Sequence, residues 1–261
     1  MSWFRLIHFL DDGGKSCYGE PEIEDVTHLL ESASNGDLYA QELVGNDPFS
    51  LVRGSRRLHV KEIVDILRPS DVPIIRCVGL NYLKHIKEGG RSPPPHPSIF
   101  IKPATSVAGF RENIPVPKIA QDSLDYEGEL SIVIGKDGKD ICREDALDYV
   151  AGYVASNDVS CRPVLVSPKV LEAAGHLRLQ TLVNGEVRQD SNTDDLLFDV
   201  PHIIGFLSQG TTLEKGTVIM TGTPAGVGMG MKPSPKYLKD GDVVEVIIEG
   251  LGSTKNVMKF E

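Results

Sequence analysis

Three acidic side chains at the ends of two apolar stretches have the chemistry of metal ligands. Glu127 and Glu129 lie at the start of the β-branched run in DYEGELSIVIG, and side chains two residues apart share one face of a strand. Asp158 follows a second apolar stretch, in SNDVSCR. Hard divalent cations prefer oxygen ligands of this kind. A solvated polar face for the Glu pair and an Asn-Asp turn without a ligand remain the alternatives.

A histidine and a glutamate could transfer a proton. His85 and Glu88 are three residues apart in the helical turn predicted over 81–88, so that the two side chains can hydrogen-bond. A carboxylate in that position orients an imidazole for acid–base work. The alternative is an exposed helix that carries an incidental pair.

Cations and a glycine-rich turn are candidate anion binders. Lys102 ends an apolar strand predicted over 98–103, and Arg162 follows Asp158 in a loop. The turn TGTPAGVG, residues 221–228, follows another strand and could hold an anion through backbone N–H groups. It lacks the Gly-Lys-Ser/Thr of a phosphate loop and the spacing of a dinucleotide fingerprint, so we do not expect nucleotide binding.

The candidate residues lie at the ends of predicted strands and helices. Asn184-Gly185 is a strong hairpin signal, and two acidic amphipathic pieces are predicted near 23–32 and 38–44. We predict that residues 1–70 form a small N-terminal domain and that residues 71–261 form a second, larger one. The other predicted elements are strands over 4–9, 74–80, 129–134, 149–155 and 242–249 and helices over 143–148 and 197–207.

Composition restricts the class of partner. The chain has 261 residues, a net charge of −10 and no Lys/Arg block, which argues against nucleic-acid binding. Its four cysteines are scattered without a C-x-x-C pair, as is typical of a reducing compartment. We expect no secretory signal, membrane span or peroxisomal address. A cytoplasmic location is predicted, and a mitochondrial one is left open.

Six motifs in order resemble the fumarylacetoacetate hydrolase family. They are VGLNYLKHIKE, SIFIKP, LDYEGELSIVIGK, GYVASNDVSCR, LVNGEVRQ and VIMTGTPAGVG, and the resemblance that they carry covers about residues 75–260. The resemblance implies a mixed α+β fold, a β-roll with the small N-terminal domain in front of it. It also implies a homodimer with Mg²⁺ or Mn²⁺ at each active site.

The resemblance also assigns roles to individual residues. The metal ligands fall on Glu127, Glu129 and Asp158, and the proton-transfer pair falls on His85 and Glu88. Arg162 and Thr223 match substrate-binding positions, and Lys102 is added to them as a nearby cation. The implied activity is metal-dependent chemistry on 2-oxo acids or 1,3-diketo acids, by C–C hydrolysis, tautomerisation or decarboxylation. The alternative is a non-catalytic relative that keeps the fold and the metal site.

One segment of the family pattern is missing after Arg162. The family continues there with an acidic/aromatic/Gln segment and a strand with a Lys-Ser-Phe-Asp motif, whereas here Pro163–Pro168 follows at once. The active-site lysine and a glutamine that faces the substrate are thereby absent. Losing a preorganised charge of this kind typically costs about 10²–10³ in rate.

Overall fold

The N-terminal part of the chain forms an antiparallel meander. The structure, a computed structural model, describes residues 3–158 and 164–261. Strands β1 to β4 pair in sequence order, and β5 pairs with β1. The elements are β1 (Arg5–Leu10), β2 (Ser16–Pro21), α1 (Leu29–Asn35), β3 (Tyr39–Val44), β4 (Val52–His59) and β5 (Glu62–Val64).

The remaining described residues are also rich in strands. They form β6 (Ile75–Gly79), α2 (Leu83–Glu88), β7 (Ser98–Lys102), β8 (Asn113–Val116), β9 (Gly128–Ile134), β10 (Gly138–Lys139), β11 (Val150–Asn157), β12 (Val164–Val166), α3 (Pro168–Leu171), β13 (Arg178–Val183), β14 (Glu186–Asn192), α4 (Val200–Leu207), β15 (Thr212–Leu213), β16 (Val218–Met220), β17 (Val243–Ile248) and β18 (Gly252–Phe260). Short 3-10 helices connect them at Val26–His28, Pro69–Asp71, Ala104–Ser106, Lys118–Ala120, Arg143–Tyr149, Thr193–Asp195 and Gly228–Gly230.

The strands form two main sheets. The larger has the order β4-β3-β2-β1-β12-β11-β9-β16-β6-β7, and the smaller has the order β14-β13-β17-β18-β8. The predicted mixed α+β class is confirmed, and within the described residues the sheets stay open without a closed barrel. Strand β1 pairs with β12, so the N-terminal meander continues the larger sheet. The division at residue 70 stays a prediction.

Strand β9 is buried on both faces, which explains its unbroken apolar run. All seven of its residues are buried. Leu130 and Ile132 belong to the core shared with the smaller sheet, whereas Val133 packs with Cys77 and Met220 on the opposite face. A strand covered on both sides does not need the alternation of a half-exposed one. Its polar residues therefore stand out as candidates for chemistry.

Several predicted elements differ in type or extent. The piece predicted at 38–44 is strand β3, and the helix predicted over 143–148 is a 3-10 helix. The helix predicted from Leu197 begins at Val200, because Asp199 caps it by accepting a hydrogen bond from the His202 N–H. Strand β18 was not predicted. None of the described helices has the length and hydrophobicity that a bilayer crossing requires.

Four strand ends meet at one edge of the larger sheet. Strand β9 begins where β11 and β16 end, because it is antiparallel to both. Strand β6 is parallel to β16 and ends at the same edge. The predicted metal ligands, the glycine-rich turn and helix α2 all follow or precede these ends. The topology thus gathers residues that are far apart in the sequence.

Candidate metal centre and active site

The three predicted metal ligands come together. One carboxylate oxygen from each of Glu127, Glu129 and Asp158 lies within 4.8 Å of the others. The register explains this arrangement: Glu129 pairs with Ser156 and Gly128 with Asn157, and the Asp158 N–H then donates to the Glu127 carbonyl at 2.8 Å. The side chains lie at the start of β9 and just beyond the end of β11.

Gly128 allows the backbone of the Glu127-Gly128-Glu129 segment to pack closely against the smaller sheet. A Cβ atom at this position would lie 2.1 Å from Thr181 Oγ1 on β13. Such a contact is far below van der Waals distance, so a side chain would push the E-G-E segment away from its neighbour. The glycine between the two ligands therefore has a steric reason that is separate from metal binding.

Burial and mutual repulsion disfavour the charged forms of these acids. Burial, together with the charges of Asp158 and Asp125, raises the pKa of Glu127 to about 7. Burial, together with the charges of Asp158 and Glu127, raises the pKa of Glu129 well above its usual value. Burial also raises the pKa of Asp158, although Lys102 opposes the change. Three desolvated oxygen ligands with few compensating cations are a donor set that suits a hard dication.

Lys102 lies beside the acidic cluster, as the sequence predicted. Its Nζ donates to the Asp158 carbonyl at 2.9 Å and to the Asp158 carboxylate. Strand register determines only the face of the sheet: Ser131, Met220 and Cys77 are cross-strand neighbours, and Lys102 pairs with Ile75, two residues from Cys77. All of these side chains therefore share one face of the sheet.

The predicted proton-transfer pair is formed at helix α2. His85 Nδ1 and Glu88 Oε2 are 3.2 Å apart, and both side chains are mostly buried. Glu88 also accepts hydrogen bonds from the Gly226 N–H, at 3.1 and 3.3 Å to its two oxygens. The glycine-rich turn thus fixes the position of the carboxylate that orients the imidazole.

The amides of the glycine-rich turn bind carboxylates of this chain. The Gly222 N–H donates to Glu129 Oε2 at 2.7 Å. The Gly228 and Met229 N–H groups donate to the two oxygens of Asp125, at 2.6 and 2.8 Å. Together with the Glu88 contact, these bonds hold three acidic side chains. The anion-binding turn predicted from the sequence exists, but these amides serve internal carboxylates, and Asp125 was missed.

Thr223 is held by a glutamine that the sequence did not single out. Gln189 on β14 is fully buried; its Nε2 donates to Thr223 Oγ1 at 2.8 Å and to the Pro224 carbonyl at 2.9 Å. Its Oε1 accepts from the Gly128 N–H at 3.0 Å. The Thr223 hydroxyl donates in turn to the Gly128 carbonyl at 3.2 Å. Gln189 therefore ties the turn to the segment that carries Glu127 and Glu129.

The remaining predicted cation, Arg162, lies outside the described residues. The segment 159–163 follows Asp158 directly, and the described chain resumes with β12. The substrate-binding roles of Arg162, Thr223 and Lys102 therefore remain predictions.

Comparison with known proteins assigns the family. The fumarylacetoacetate (FAA) hydrolase C-terminal domain matches residues 74–165 and 162–259, which is most of the chain. The chain belongs to the fumarylacetoacetate hydrolase family. The resemblance drawn from six sequence motifs is thereby confirmed.

Relatives with enzymatic names share more than a third of their aligned residues with this chain. It is 38% identical over 206 residues to the oxaloacetate tautomerase YisK of Bacillus subtilis, covering 70% of this chain and 68% of that protein. It is 37% identical over 276 residues to a caffeoylpyruvate hydrolase of Neonothopanus nambi, covering 100% of this chain and 94% of that protein.

Solved structures show the same fold. A 2-hydroxyhepta-2,4-diene-1,7-dioate isomerase from Mycobacterium marinum superposes with a TM-score of 0.78 at 28% identity, over 99% of both chains. A fumarylacetoacetate hydrolase from Exiguobacterium antarcticum superposes with a TM-score of 0.73 at 34% identity, over 99% of this chain and 100% of that chain.

Proposed function

We propose that this chain is a divalent-metal-dependent enzyme that acts on 2-oxo acids or 1,3-diketo acids. The convergence of Glu127, Glu129 and Asp158 within 4.8 Å carries the proposal. The His85–Glu88 pair docks on the same glycine-rich turn as Glu129. The tautomerase and hydrolase names of relatives support this substrate class. Whether C–C hydrolysis, tautomerisation or decarboxylation is the physiological reaction is left to the assay below.

The three carboxylates would hold Mg²⁺ or Mn²⁺. When bound, such an ion polarises the paired oxygens of a 2-oxo acid or diketone and stabilises negative charge on them. Three carboxylates and a dication leave a charge of −1, and the Lys102 ammonium offsets it. We propose Lys102, Arg162 and Thr223 as the groups that bind the acidic substrate.

His85 would move the proton. The carboxylate of Glu88 accepts from His85 Nδ1–H, so this contact leaves Nε2 as the basic nitrogen. Nε2 would take a proton from water in hydrolysis, or from the carbon next to the carbonyl in tautomerisation. Glu88 keeps its own position through the Gly226 N–H.

A segment missing after Arg162 favours a second candidate function. The family domain matches in two parts, residues 74–165 and residues 162–259, and the two parts meet where the sequence pattern breaks. The alignment with the caffeoylpyruvate hydrolase spans 276 positions, more than the 261 residues of this chain. The break in the family match supports the loss of a family segment at this junction, and we infer from the family pattern that the lysine is lost with it. The second candidate is therefore a metal-binding family member with weak or no turnover, which acts as a binding or regulatory protein.

We also propose a homodimer, located in the cytoplasm or the mitochondrion. Ile99, Phe100 and Ile101 are exposed on strand β7, which is an edge of the larger sheet among the described residues. Consecutive apolar residues on an unpaired edge favour association. A mitochondrial oxaloacetate tautomerase of Xenopus laevis, 38% identical over 218 residues, keeps that compartment open.

The decisive experiment compares metal binding with turnover. Metal content and melting temperature are measured for the wild type, Glu129→Gln and the exposed control Glu144→Gln, with Mg²⁺ or Mn²⁺ and with oxalate. A ligand that binds only the folded state raises the melting temperature. We expect a metal-dependent rise that oxalate increases in the wild type and the control, and none in Glu129→Gln. Retained metal stoichiometry in that variant would disprove the ligand assignment.

Turnover then separates the two candidate functions. The metal-loaded wild type is assayed with oxaloacetate and with an acylpyruvate. Loss of the enol form of oxaloacetate, release of CO₂ from oxaloacetate or cleavage of the acylpyruvate supports the enzyme and distinguishes tautomerisation, decarboxylation and hydrolysis. Stoichiometric metal without turnover on either substrate class favours the second candidate.

A further inference from the structure

A cavity that contains none of the proposed metal ligands lies beside the β13–β14 hairpin of the smaller sheet. Its volume is about 650 Å³, within the range of small-molecule sites. Three cations, Arg188, Lys236 and Lys239, line it together with Tyr126 and Tyr237. This concentration of positive charge is unusual in a chain whose net charge is −10. None of these residues belongs to the proposed metal site.

Arg188 is a mostly buried cation whose ion-pair partner is exposed. Its side chain is 14% exposed, and one of its terminal nitrogens pairs with Glu186 at 3.1 Å, on a side chain that is 63% exposed. The Arg188 Nε atom is buried and has no hydrogen-bond partner among the described residues. Arg188 also lines the cavity, and a guanidinium in that position can form a bidentate pair with a carboxylate or a phosphate.

The two lysines are available to an anion as well. Neither Lys236 nor Lys239 has an ion-pair partner among the described residues. Asp242 on the cavity wall already accepts from Asn184 Nδ2 and from the Lys239 backbone N–H, each at 2.8 Å. The other acidic residue of the wall, Asp122, is exposed. The three cations therefore outnumber the two acidic residues of the wall.

The cavity shares a wall with the proposed active site. Tyr126, next to Glu127, donates from its hydroxyl to the Gly226 carbonyl at 2.9 Å. Gly226 in turn packs against the Arg188 backbone, and a Cβ on this glycine would lie 2.3 Å from the Arg188 carbonyl oxygen. The Gly226 N–H binds Glu88 on the other side of the turn. A shift of Arg188 or Tyr126 would thus reach both the E-G-E segment and the proton-transfer pair.

We propose that this cavity is a second binding site, for a small organic anion that carries a carboxylate or phosphate group, and that its occupancy changes metal affinity at the active site. Arg188 provides the least exposed cation of the wall, and Lys236 and Lys239 provide charge at the mouth. The coupling rests on the proposed metal function, whereas the anion site itself does not. By linkage, the metal must change anion affinity by the same factor.

The first experiment tests the anion site alone. Binding of succinate and of inorganic phosphate to the metal-free protein is measured by calorimetry and melting temperature at constant ionic strength. The variants are the double substitution Lys236→Met/Lys239→Met, the single Arg188→Lys, and the exposed control Lys61→Met. We expect the wild type and the control to bind the anion equally well and the double variant to bind it at least about tenfold more weakly. Arg188→Lys should also weaken binding, because lysine lacks the planar guanidinium that pairs with both oxygens of an acidic group. A preference between the two probes identifies the acidic group.

Several results would overturn the proposal. Absence of binding for both anions refutes the site, and equal affinity in the wild type and the double variant places the anion elsewhere. The double variant lies at the exposed mouth, so its result stands even if Arg188→Lys folds poorly. Coupling is then tested by measuring the Mn²⁺ affinity with and without saturating succinate at equal free Mn²⁺. We expect a change of about threefold or more that the double variant loses, and an unchanged affinity refutes the coupling. Failure of Mn²⁺ to bind at all contradicts the proposed function but leaves the anion result intact.

Discussion

Replacing Lys102 by methionine should have opposite effects on the two ligands of the proposed site. The Lys102 ammonium donates to the carbonyl and the carboxylate of Asp158, which is one of the three converging ligands. A dication must compete with this ammonium for Asp158 and is also repelled by it. The same ammonium, beside the bound metal, would attract an acidic substrate. Lys102→Met therefore removes a competitor of the metal and a partner of the substrate.

The size of the effect follows from the contact. A hydrogen bond to a charged group contributes about 1.5–3 kcal/mol, and the lower end applies here because the Lys102 side chain is 28% exposed. A free energy of about 1.4 kcal/mol corresponds to a factor of ten in affinity. We therefore expect Mn²⁺ to bind Lys102→Met about tenfold more tightly, and oxalate to bind the metal-loaded variant about tenfold more weakly.

Calorimetric titration measures both affinities on the same preparations. Lys255→Met is the matched control, because Lys255 also forms an ion pair, with Glu245 at 3.6 Å, on a side chain that is 61% exposed. This control should leave both affinities unchanged. Unchanged or weaker Mn²⁺ binding in Lys102→Met would refute competition for Asp158, and unchanged oxalate binding would refute the substrate role.

Three other predictions concern neighbouring groups. His85→Ala should keep Mn²⁺ affinity while turnover falls about 10²–10⁴-fold, and equal turnover would show that another group moves the proton. The folded-state pKa of Glu127 is raised from 4.5 to about 7, so the protonated side chain stabilises the metal-free folded state at low pH, and this stabilisation is lost as the pH rises from about 4.5 through about 7. The melting temperature of the metal-free protein should fall over that pH range, and Glu127→Gln should reduce the fall. Gln189→Leu should lower stability by about 2–4 kcal/mol in chemical denaturation, since it leaves the buried Gly128 N–H and the Pro224 carbonyl unpaired. A loss below about 1 kcal/mol would contradict that accounting.

The convergence of the three candidate metal ligands could be predicted because its signal is local. Glu127 and Glu129 are neighbours on one face at the start of β9, and Asp158 directly follows β11, the strand that pairs with it. The His85–Glu88 contact likewise follows from helical spacing. In each case, a periodicity of two or about four residues fixes the side-chain direction before any tertiary contact is known.

The supporting residues could not be found in this way. Gln189 lies 61 residues from Gly128, and Asp125 lies 103 residues from Gly228, to which it bonds. Their roles depend on how the two sheets pack and on where the turn folds back. The glycine pattern predicted a set of N–H donors correctly, but only the fold shows that carboxylates of this chain accept from those amides.

The pairing of the first strand with β12 has a consequence for synthesis of the chain. Arg5 pairs with Val166, so β1 meets this partner only after some 160 further residues have been made. Contacts of such separation form slowly, because a long loop must close first. Strands β2 to β4 can pair while the chain is still on the ribosome, yet the Arg5–Ile7 edge of β1 stays open until β12 emerges. An open edge of this kind is a template for pairing with another nascent chain, so the early meander is exposed to wrong pairing until β12 has been made.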